Sequence, residues 1–588
     1  MKVKPQTSQE AEFRLPTRME SVIFRAKTAI FQAKHSISAP RIPRCEKSDI
    51  AGASLIAESR TALRSSDEIA EEELQSGKVQ NLRVAAGFLD KLKVPSGHVF
   101  SFWRHVPRPT RRFGFVEGRE LREGCIVPSV GGGLCQLSNA LYECALNAGL
   151  EIVERHGHSK KVPGSLAEAG RDATIFWNYV DLKFRAAADW QLRAFLNRTE
   201  LVVQIFAKER LGRPVELAED ALIPKKEVRS CETCGMTTCF RHPDTAEPQT
   251  TTNEFSAWAV DSFAPEFGEF ISQNRCSGDW LFTPLSTSRN FARGKYPWPI
   301  EGFGKAVDFP SFVIRRSIVS RKLANQGAER QMANLKFNRT LAEKMIQKLP
   351  HRANHVVVSL ELLPYFWESG VLGGRKFDVM MTRWPIRMLQ QKLDLAAKQW
   401  PESPTLADFR ADEKLAELEW EALQEADSWI TPHSEIAKSA PDGKPRLLDW
   451  RVKLPEKSEN AGRHIIFPTT TAGRNGAYEV REAMRQLGLP LKIIGPNVEG
   501  PDFWDGIDVE RLSPESWLEE AAVIMLPAWI STRPSRLFEA IRSGIPIITT
   551  PETGISNLPG VTTIPVGDVS ALVDALKSFR SDRVESLI

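Results

Sequence analysis

Residues 521–560 read AAVIMLPAWISTRPSRLFEAIRSGIPIITTPETGISNLPG and give the clearest indication of architecture in the chain. Two apolar runs, 522–526 and 545–549, flank an amphipathic segment at 535–543. Short apolar runs that alternate with amphipathic helices are typical of βαβ units, which build parallel sheets. The segment therefore predicts a strand, a loop, a helix and a second strand of a doubly wound α/β domain.

The same alternation extends over the rest of the C-terminal half. Its remaining elements are predicted as strands at 465–467, 491–494 and 562–565 and a helix at 477–487. Two earlier apolar runs, 356–360 and 377–381, indicate a similar lobe upstream, and the highly charged segment 407–426 is expected to separate the two lobes. We therefore predict α/β lobes at 251–440 and 441–588.

A glycine-containing loop follows the first predicted strand of the last lobe. Residues 465–495, IIFPTTTAGRNGAYEVREAMRQLGLPLKIIG, predict a strand, a loop with Gly473, Arg474 and Gly476, a helix and a strand. Loops at the carboxyl ends of parallel strands bind ligands, and a helix N-terminus attracts phosphate. The alternative is that these glycines only permit a turn.

The segment 521–560 resembles the donor-binding segment of GT-B retaining glycosyltransferases of the family-4 type. Arg533 and Arg536 flank the start of its helix, and Glu539 lies in the second turn. The resemblance implies that Glu539 meets the ribose of a nucleotide-sugar donor and that loop amides meet its phosphates. It covers residues 440–588 well and implies an acceptor lobe at 251–440. Such enzymes generally need no catalytic metal, because a helix dipole and basic residues stabilise the leaving diphosphate.

Two positions depart from that family's pattern. Ser531 stands where a glutamate is common, and Arg474 is followed by Asn475 where a lysine is common. Arg533 or Arg536 could supply the missing positive charge. One alternative left open is a degenerate lobe that binds a ligand or partner without turnover. Another is that Arg533, Arg536 and Glu539 form solvated ion pairs at the helix start. His351 and His355 are ordinary candidates for an acceptor-lobe base, or merely structural residues.

A glycine triplet in the first half precedes a cysteine near a predicted helix start. The peptide 131–139, GGGLCQLSN, places Cys135 where a helix N-terminus favours the thiolate. Residues that could supply a base and an orienting carboxylate follow downstream: Glu154, His156, His158 and Asp172. The alternative is a tight turn and a small buried thiol.

This region is identified as a member of the VanW family, first known from glycopeptide-resistance gene clusters. The resemblance rests on HVFSFWRHV at 98–106, GGGLCQLSNALYECALNAGLEIVERHGHS at 131–159 and GRDATIFWNYVDLKF at 170–184. It implies an α+β domain at 78–212. The residues in the family's characteristic segments are Cys135, Gln136, Glu154, His156, His158, Arg171 and Asp172. We hypothesise that Cys135 is a nucleophile with His156 or His158 as its base.

A Cys/His cluster lies in the expected linker, 213–250. Cys231, Cys234, Cys239 and His242 form the ligand set of a structural Cys3His zinc site. The same residues could instead bind an iron–sulfur cluster. The alternative without metal is an exposed loop with unligated thiols.

Composition sets the remaining expectations. A length of 588 residues predicts several domains, and a net charge of +4 gives no argument for nucleic acid binding. Residues 1–77 are expected to form an arm that is partly disordered. No run is apolar enough to span a membrane and no signal core is present, so we expect a bacterial cytoplasmic protein. The predicted function is a VanW domain joined to a glycosyltransferase module of cell-envelope or polysaccharide metabolism; a cysteine-dependent activity of the VanW domain alone is a further alternative.

Overall fold

A computed structural model describes residues 42–64, 72–122, 125–157, 160–161, 170–177, 179–215, 226–227, 255–289, 294–323, 327–408, 410–454 and 462–583, with the single residues 19, 26 and 30. The chain divides into two compact units. The first comprises Met1–Asn253 and Gly370–Arg375, and the second comprises Glu254–Ser369 and Lys376–Ile588. Across the described residues, no helix combines the length and apolarity that crossing a membrane requires.

The first unit is an α+β domain. Its elements in chain order are β1 (Glu46–Lys47), β2 (Ser54–Ala62), α1 (Glu72–Leu89), β3 (Leu92–Val94), β4 (Phe100–Ser101), α2 (Phe102–His105), β5 (Glu117–Arg122), β6 (Cys125–Val130), α3 (Leu134–Asn147), β7 (Glu151–Glu154), β8 (Lys160–Lys161), β9 (Lys183–Arg185), β10 (Trp190–Leu196), β11 (Glu200–Ala207) and β12 (Lys226–Glu227). An antiparallel sheet of order β1-β3-β10-β11-β2 packs against α1 and α3. Apolar residues recur along α1 at helical spacing, and its Leu82 and Leu89 are fully buried.

Part of the expected N-terminal arm belongs to this sheet. β2 pairs with β11 from Ala62 opposite Glu200 to Ser54 opposite Ala207, and α1 begins at Glu72. The strand β2 and the helical residues before position 78 were not expected from the sequence. The reason is that β2, SLIAESRTA, buries only Ala57 and Ser59, so it carries little of the apolar alternation that identifies a strand.

The second unit begins with a parallel α/β lobe, called the first lobe. Its elements are β13 (Ser256–Ala259), α4 (Pro265–Asn274), β14 (Trp280–Thr283), β15 (Leu285–Ser286), β16 (Pro297–Trp298), β17 (Lys305–Asp308), α5 (Pro310–Lys322), α6 (Gly327–Ile346), β18 (His355–Ser359), α7 (Leu363–Glu368), β19 (Lys376–Met380), α8 (Ile386–Gln399), α9 (Glu413–Glu425), β20 (Ser428–Thr431), α10 (Ser434–Lys438) and β21 (Pro445–Leu447). The sheet order is β17-β14-β13-β18-β19-β20-β21, with every pair parallel.

The second lobe repeats this design. Its elements are β22 (His464–Phe467), α11 (Ala477–Leu487), β23 (Leu491–Ile493), β24 (Val509–Arg511), α12 (Trp517–Glu520), β25 (Ala521–Leu526), α13 (Ser535–Arg542), β26 (Ile547–Thr549), β27 (Val561–Thr563) and α14 (Val569–Arg583). The parallel sheet order is β24-β23-β22-β25-β26-β27. In both lobes the order reverses beside the first strand, as in doubly wound folds. The predicted pair of Rossmann-type lobes is confirmed.

The charged segment 407–426 does not separate the lobes. Most of it forms α9, which buries Ala422 and Leu423 within the first lobe and is followed by β20 and β21 of the same sheet. The expectation was wrong because the charges lie on the solvated face of an amphipathic helix.

Candidate functional site

The carboxyl edges of the two parallel sheets face each other within the second unit. His433, which follows β20, places Nε2 3.1 Å from the carbonyl oxygens of Ser531 and Glu552, which follow β25 and β26. The indole of Trp384, after β19, donates to the same Ser531 carbonyl at 2.8 Å. Loops at the carboxyl ends of doubly wound sheets are the usual ligand sites. The facing edges therefore define the candidate site.

The glycine loop lies where the strand order reverses, between β22 and β25. Trp529 N, after β25, donates to the Arg474 carbonyl at 2.9 Å, so the two loops that flank the crevice are joined. Gly476 has φ +79 and is the N-cap of α11, and a Cβ atom there would overlap the carbonyl of Pro527. Only glycine allows this close approach of the loops.

The Gly473 amide is bound by a carboxylate of the chain. Its N–H lies 2.6 Å from Oε1 of Glu499, a residue just beyond β23. The same carboxylate accepts from Ser403 Oγ at 2.8 Å, from Tyr478 OH at 2.9 Å and from the hydroxyl of Thr405. Residues 403 and 405 follow α8 of the first lobe. Glu499 thus joins a segment of the first lobe to the glycine loop. A loop in this position, before a helix N-terminus, is where parallel sheets commonly bind phosphate.

The predicted donor-binding side chains have distinct surroundings. Burial lowers the pKa of the Arg474 guanidinium, and the Asp408 carboxylate opposes that effect. Arg533 Nη2 lies 3.1 Å from Glu266, a buried residue of α4, and so pairs across the lobes. Arg536 donates to the Pro468 carbonyl at the end of β22.

Glu539 is partly buried on α13, next to the crevice-lining loop. Within the described part of the chain, its carboxylate makes no hydrogen bond or ion pair. Ser531, the position without the common glutamate, contributes its backbone carbonyl to the contact with His433 and Trp384.

A charged cluster lies at the switch point of the first lobe, the position beside β13 where the strand order reverses. It was missed in the sequence. Asp261 follows β13 and pairs with the buried Arg316, with Oδ1 to Nη1 at 2.7 Å. Arg316 also donates to Asn338 at 3.1 Å. Glu361 follows β18 and accepts from Thr382; burial, reinforced by Asp261, raises the pKa of Glu361. Acidic residues that directly follow apolar runs were the available signal.

His433 is the second residue that the sequence analysis passed over. It is 1% exposed and stacks edge-on with Trp384 at 5.0 Å. Its Nδ1 accepts from Ile436 N, so the neutral ring donates through Nε2 to the two carbonyls of the second lobe. Burial lowers the pKa of His433 to about 4. The ring is therefore a neutral contact between the lobes. His355, in contrast, pairs with Asp378 at the start of β18, the opposite edge of the sheet.

In the first unit, the glycine triplet brings α3 against α1 and the hairpin β5–β6. A Cβ atom on Gly132 would overlap the Gly118 carbonyl, and Asn81 of α1 donates to the Gly132 carbonyl at 2.9 Å. Cys135, partly exposed, is the second residue of α3. The neighbouring Gln136 donates to the Ala62 carbonyl at 2.8 Å.

Several of the residues predicted to act with Cys135 have contacts within the described part of the chain. His156 Nε2 lies 3.4 Å from the Glu154 carboxylate, and the buried Asp172 accepts from Arg155 at 2.7 Å. Arg171 donates to Asn147 at 2.9 Å, at the end of α3. Asp172 is thus paired with an arginine.

Glu154 also lines a pocket of about 550 Å³ in this unit, together with Lys183, Ser96 and His98. Lys183 Nζ lies 2.7 Å from Glu154, so the polar wall of this pocket is an ion pair that also contacts His156.

Some predicted residues lie outside the described part of the chain: His158, Cys231, Cys234, Cys239 and His242. The described residues contain no group of three or more potential metal ligands. The zinc or iron–sulfur prediction stays a prediction.

The first unit is similar in sequence to known proteins. Residues 77–206 match the family model described as VanW like protein. The vancomycin B-type resistance protein VanW of Enterococcus faecalis is 36% identical over 141 residues, 23% of this chain and 51% of that protein. The protein YoaR of Bacillus subtilis, described as uncharacterized, is 35% identical over 105 residues, 18% of this chain and 34% of that protein. The chain thus spans about half or less of the length of these relatives.

Solved structures similar to this chain include sucrose-phosphate synthase from Thermosynechococcus elongatus, 13% identical with a TM-score of 0.34, covering 56% of this chain and 90% of that one. The lipopolysaccharide outer core galactosyltransferase WaaB is 14% identical with a TM-score of 0.32, covering 56% and 90%. Anabaena HepE in complex with UDP is 10% identical with a TM-score of 0.32, covering 57% and 91%.

By its strand order and facing carboxyl edges, the second unit has the GT-B type of architecture. Residues 77–206 of the first unit form a VanW-like domain, as expected from the sequence.

Proposed function

We propose that the second unit is a glycosyltransferase that transfers a sugar from a nucleotide-diphosphate donor in cell-envelope or polysaccharide metabolism. The observation that carries this proposal is the pair of doubly wound lobes with facing carboxyl edges and a glycine loop at the second switch point. Such a crevice admits a phosphate-containing ligand beside backbone amides and a helix start.

In this proposal the second lobe binds the donor. Gly473 and Gly476 allow the loop backbone to approach the diphosphate, and Arg474 contributes positive charge. Arg533 or Arg536 takes the place of the lysine that the family has at Asn475, and Glu539 binds the ribose. Donor binding requires that Glu499 leave the Gly473 amide, which it now occupies at 2.6 Å.

The test is turnover of UDP- and GDP-sugars by the purified full chain. We expect sugar transfer or slow donor hydrolysis that Glu539→Gln reduces at least tenfold, because a charged hydrogen bond to the ribose is removed. Glu519→Gln, which neutralises an exposed carboxylate on α12, is the matched control and should leave the rate unchanged. Equal rates in both variants would contradict the role of Glu539.

A non-catalytic binding protein is the second candidate, and two contacts favour it. Glu499 caps the loop amide, and Arg533 is engaged by the buried Glu266. A protein of this kind would be stabilised thermally by UDP yet would show no turnover with any donor. Turnover above the level of the Glu539→Gln variant would exclude it.

For the VanW-like domain we propose recognition of, or action on, a related envelope intermediate. Cys135 is the hypothesised nucleophile, His156 or His158 its base, and Asp172 an orienting carboxylate. The position of Cys135 in the first turn of α3 supports thiolate formation. A Cys135→Ala protein with full activity in a complementation assay would exclude this role. If Cys135→Ala abolishes function while Glu539→Gln does not, the cysteine is the only catalytic centre.

For the cluster of Cys231, Cys234, Cys239 and His242 we propose a structural zinc ion, with an iron–sulfur cluster as the alternative. Metal analysis of the purified chain distinguishes them: one zinc per chain that is lost in Cys234→Ser supports the first, and iron with acid-labile sulfide the second.

A further inference from the structure

Lys78 of α1 is a buried cation beside the start of α3. It is 7% exposed, and its aliphatic stem packs so closely on Gly133 that a Cβ atom there would overlap Cγ of Lys78. Gly133 is the N-cap of α3, with φ +96 and no side-chain cap. No hydrogen bond or ion pair joins the Lys78 ammonium to another described residue. A lysine is seldom buried without a partner, because desolvation of its charge is costly.

The surroundings add positive charge. Burial, together with the nearby charges of Arg119 and Arg64, lowers the pKa of Lys78 to about 8. Arg119 lies on β5, and Arg64, just beyond β2, shares its charge with Glu72 at 2.5 Å. The two arginines that act on Lys78 therefore come from two other parts of the chain.

The start of α3 adds to this charge. The helix runs over Leu134–Asn147, 14 residues, so its dipole and its first N–H groups favour an anion at this end. Gly131, Gly133, Cys135 and Gln136 are partly exposed, so the first turn is reachable from solvent. Glycine-rich turns that lead into a helix N-terminus are a common construction of phosphate-binding sites.

We propose that Lys78, Arg119 and the first turn of α3 form a binding site for a phosphate group in the VanW-like domain. The ligand class is an inorganic phosphate ion or the phosphate of a larger molecule. Two cations and a helix start match a dianion better than a monoanionic carboxylate. This site is independent of the glycosyltransferase proposal, because every residue in it belongs to the first unit.

Titration calorimetry of the full chain with inorganic phosphate tests the site. Lys78→Met keeps the buried stem and removes the charge, and we expect it to weaken phosphate binding about tenfold or more. The control is Lys208→Met, which removes an exposed charge beyond β11, at the end of the sheet away from Ala62. Equal phosphate affinity in Lys78→Met and wild type, or acetate binding as tight as phosphate, would overturn the proposal.

The folding of the variant gives a second readout. In phosphate-free buffer the midpoint of thermal unfolding of Lys78→Met should equal or exceed that of wild type, since an uncompensated buried charge is removed. A lower midpoint in that buffer, with no phosphate effect in wild type, means that Lys78 is structural and overturns the site. Glycerol phosphate as a second ligand separates the sources: tighter binding than phosphate assigns the group to a larger molecule, and equal binding assigns the free ion.

Discussion

Replacing Glu499 by glutamine tests the contact that closes the second lobe's glycine loop. The carboxylate accepts hydrogen bonds from the Gly473 amide, Tyr478 and two hydroxyls that follow α8, Ser403 and Thr405. Hydrogen bonds to a charged acceptor contribute about 1.5–3 kcal/mol each and neutral ones about 1 kcal/mol, so four weakened bonds that share one acceptor give an expected loss of about 3 kcal/mol. Glutamine keeps the size of the side chain and leaves one acceptor oxygen.

The assay is urea unfolding followed by tryptophan fluorescence, because Trp400 stacks on Tyr478 at 5.2 Å and reports on this contact. The control is Glu402→Gln, which neutralises an exposed partner of Arg481 and should cost about 0–1 kcal/mol. If Glu499→Gln is no less stable than Glu402→Gln, the carboxylate does not hold the loop and the reasoning is refuted.

Three further changes test the interior of the second unit. The pKa of His433 is lowered from 6.5 to about 4, so the folded protein binds the proton more weakly than the unfolded chain. About 3 kcal/mol of the free energy of unfolding, present above pH 6.5, is therefore lost as the pH falls to 4. The free energy of unfolding of His433→Asn, measured over the same pH range, should lack this loss. Asp261→Asn leaves Arg316 buried without its counter-charge and should cost about 3–5 kcal/mol in urea unfolding, and the double variant with Arg316→Met should recover part of it. Gly476→Ala should cost about 3 kcal/mol or more from positive φ and overlap together, whereas Gly488→Ala, at φ +62 in open space, should cost about 1–2 kcal/mol; similar thermal midpoints would contradict the overlap.

The second lobe was the most predictable part of the fold. Its five predicted strands are all present, with ends that differ by one or two residues, and α11 has the predicted bounds. Short apolar runs bounded by glycine and proline carry that information. β24 was missed because two of its three residues, VER, are exposed, so it has no apolar run to detect.

The candidate site was less predictable than the sheet that carries it. Arg474 and Gly476 could be chosen because they follow a predicted strand in an uninterrupted segment. Glu499 lies 26 residues beyond Gly473, and only the adjacency of β22 and β23 brings the two together. Asp261 pairs with Arg316, 55 positions away, and needs the whole strand order before its place at the switch point is known.

The two switch points have opposite chemical characters, and this difference suggests a division of labour in the proposed enzyme. The first lobe offers Asp261, which is paired with Arg316, and Glu361, and these carboxylates suit a hydroxyl-rich acceptor. The second lobe offers backbone amides and Arg474, but Glu499 already supplies the anion there. A donor diphosphate must displace that carboxylate, and the hydroxyls that follow α8 lose their acceptor in the same event. Donor binding and release of this first-lobe segment are therefore one step, so removing the charge of Glu499 should raise the affinity for UDP even as it lowers stability.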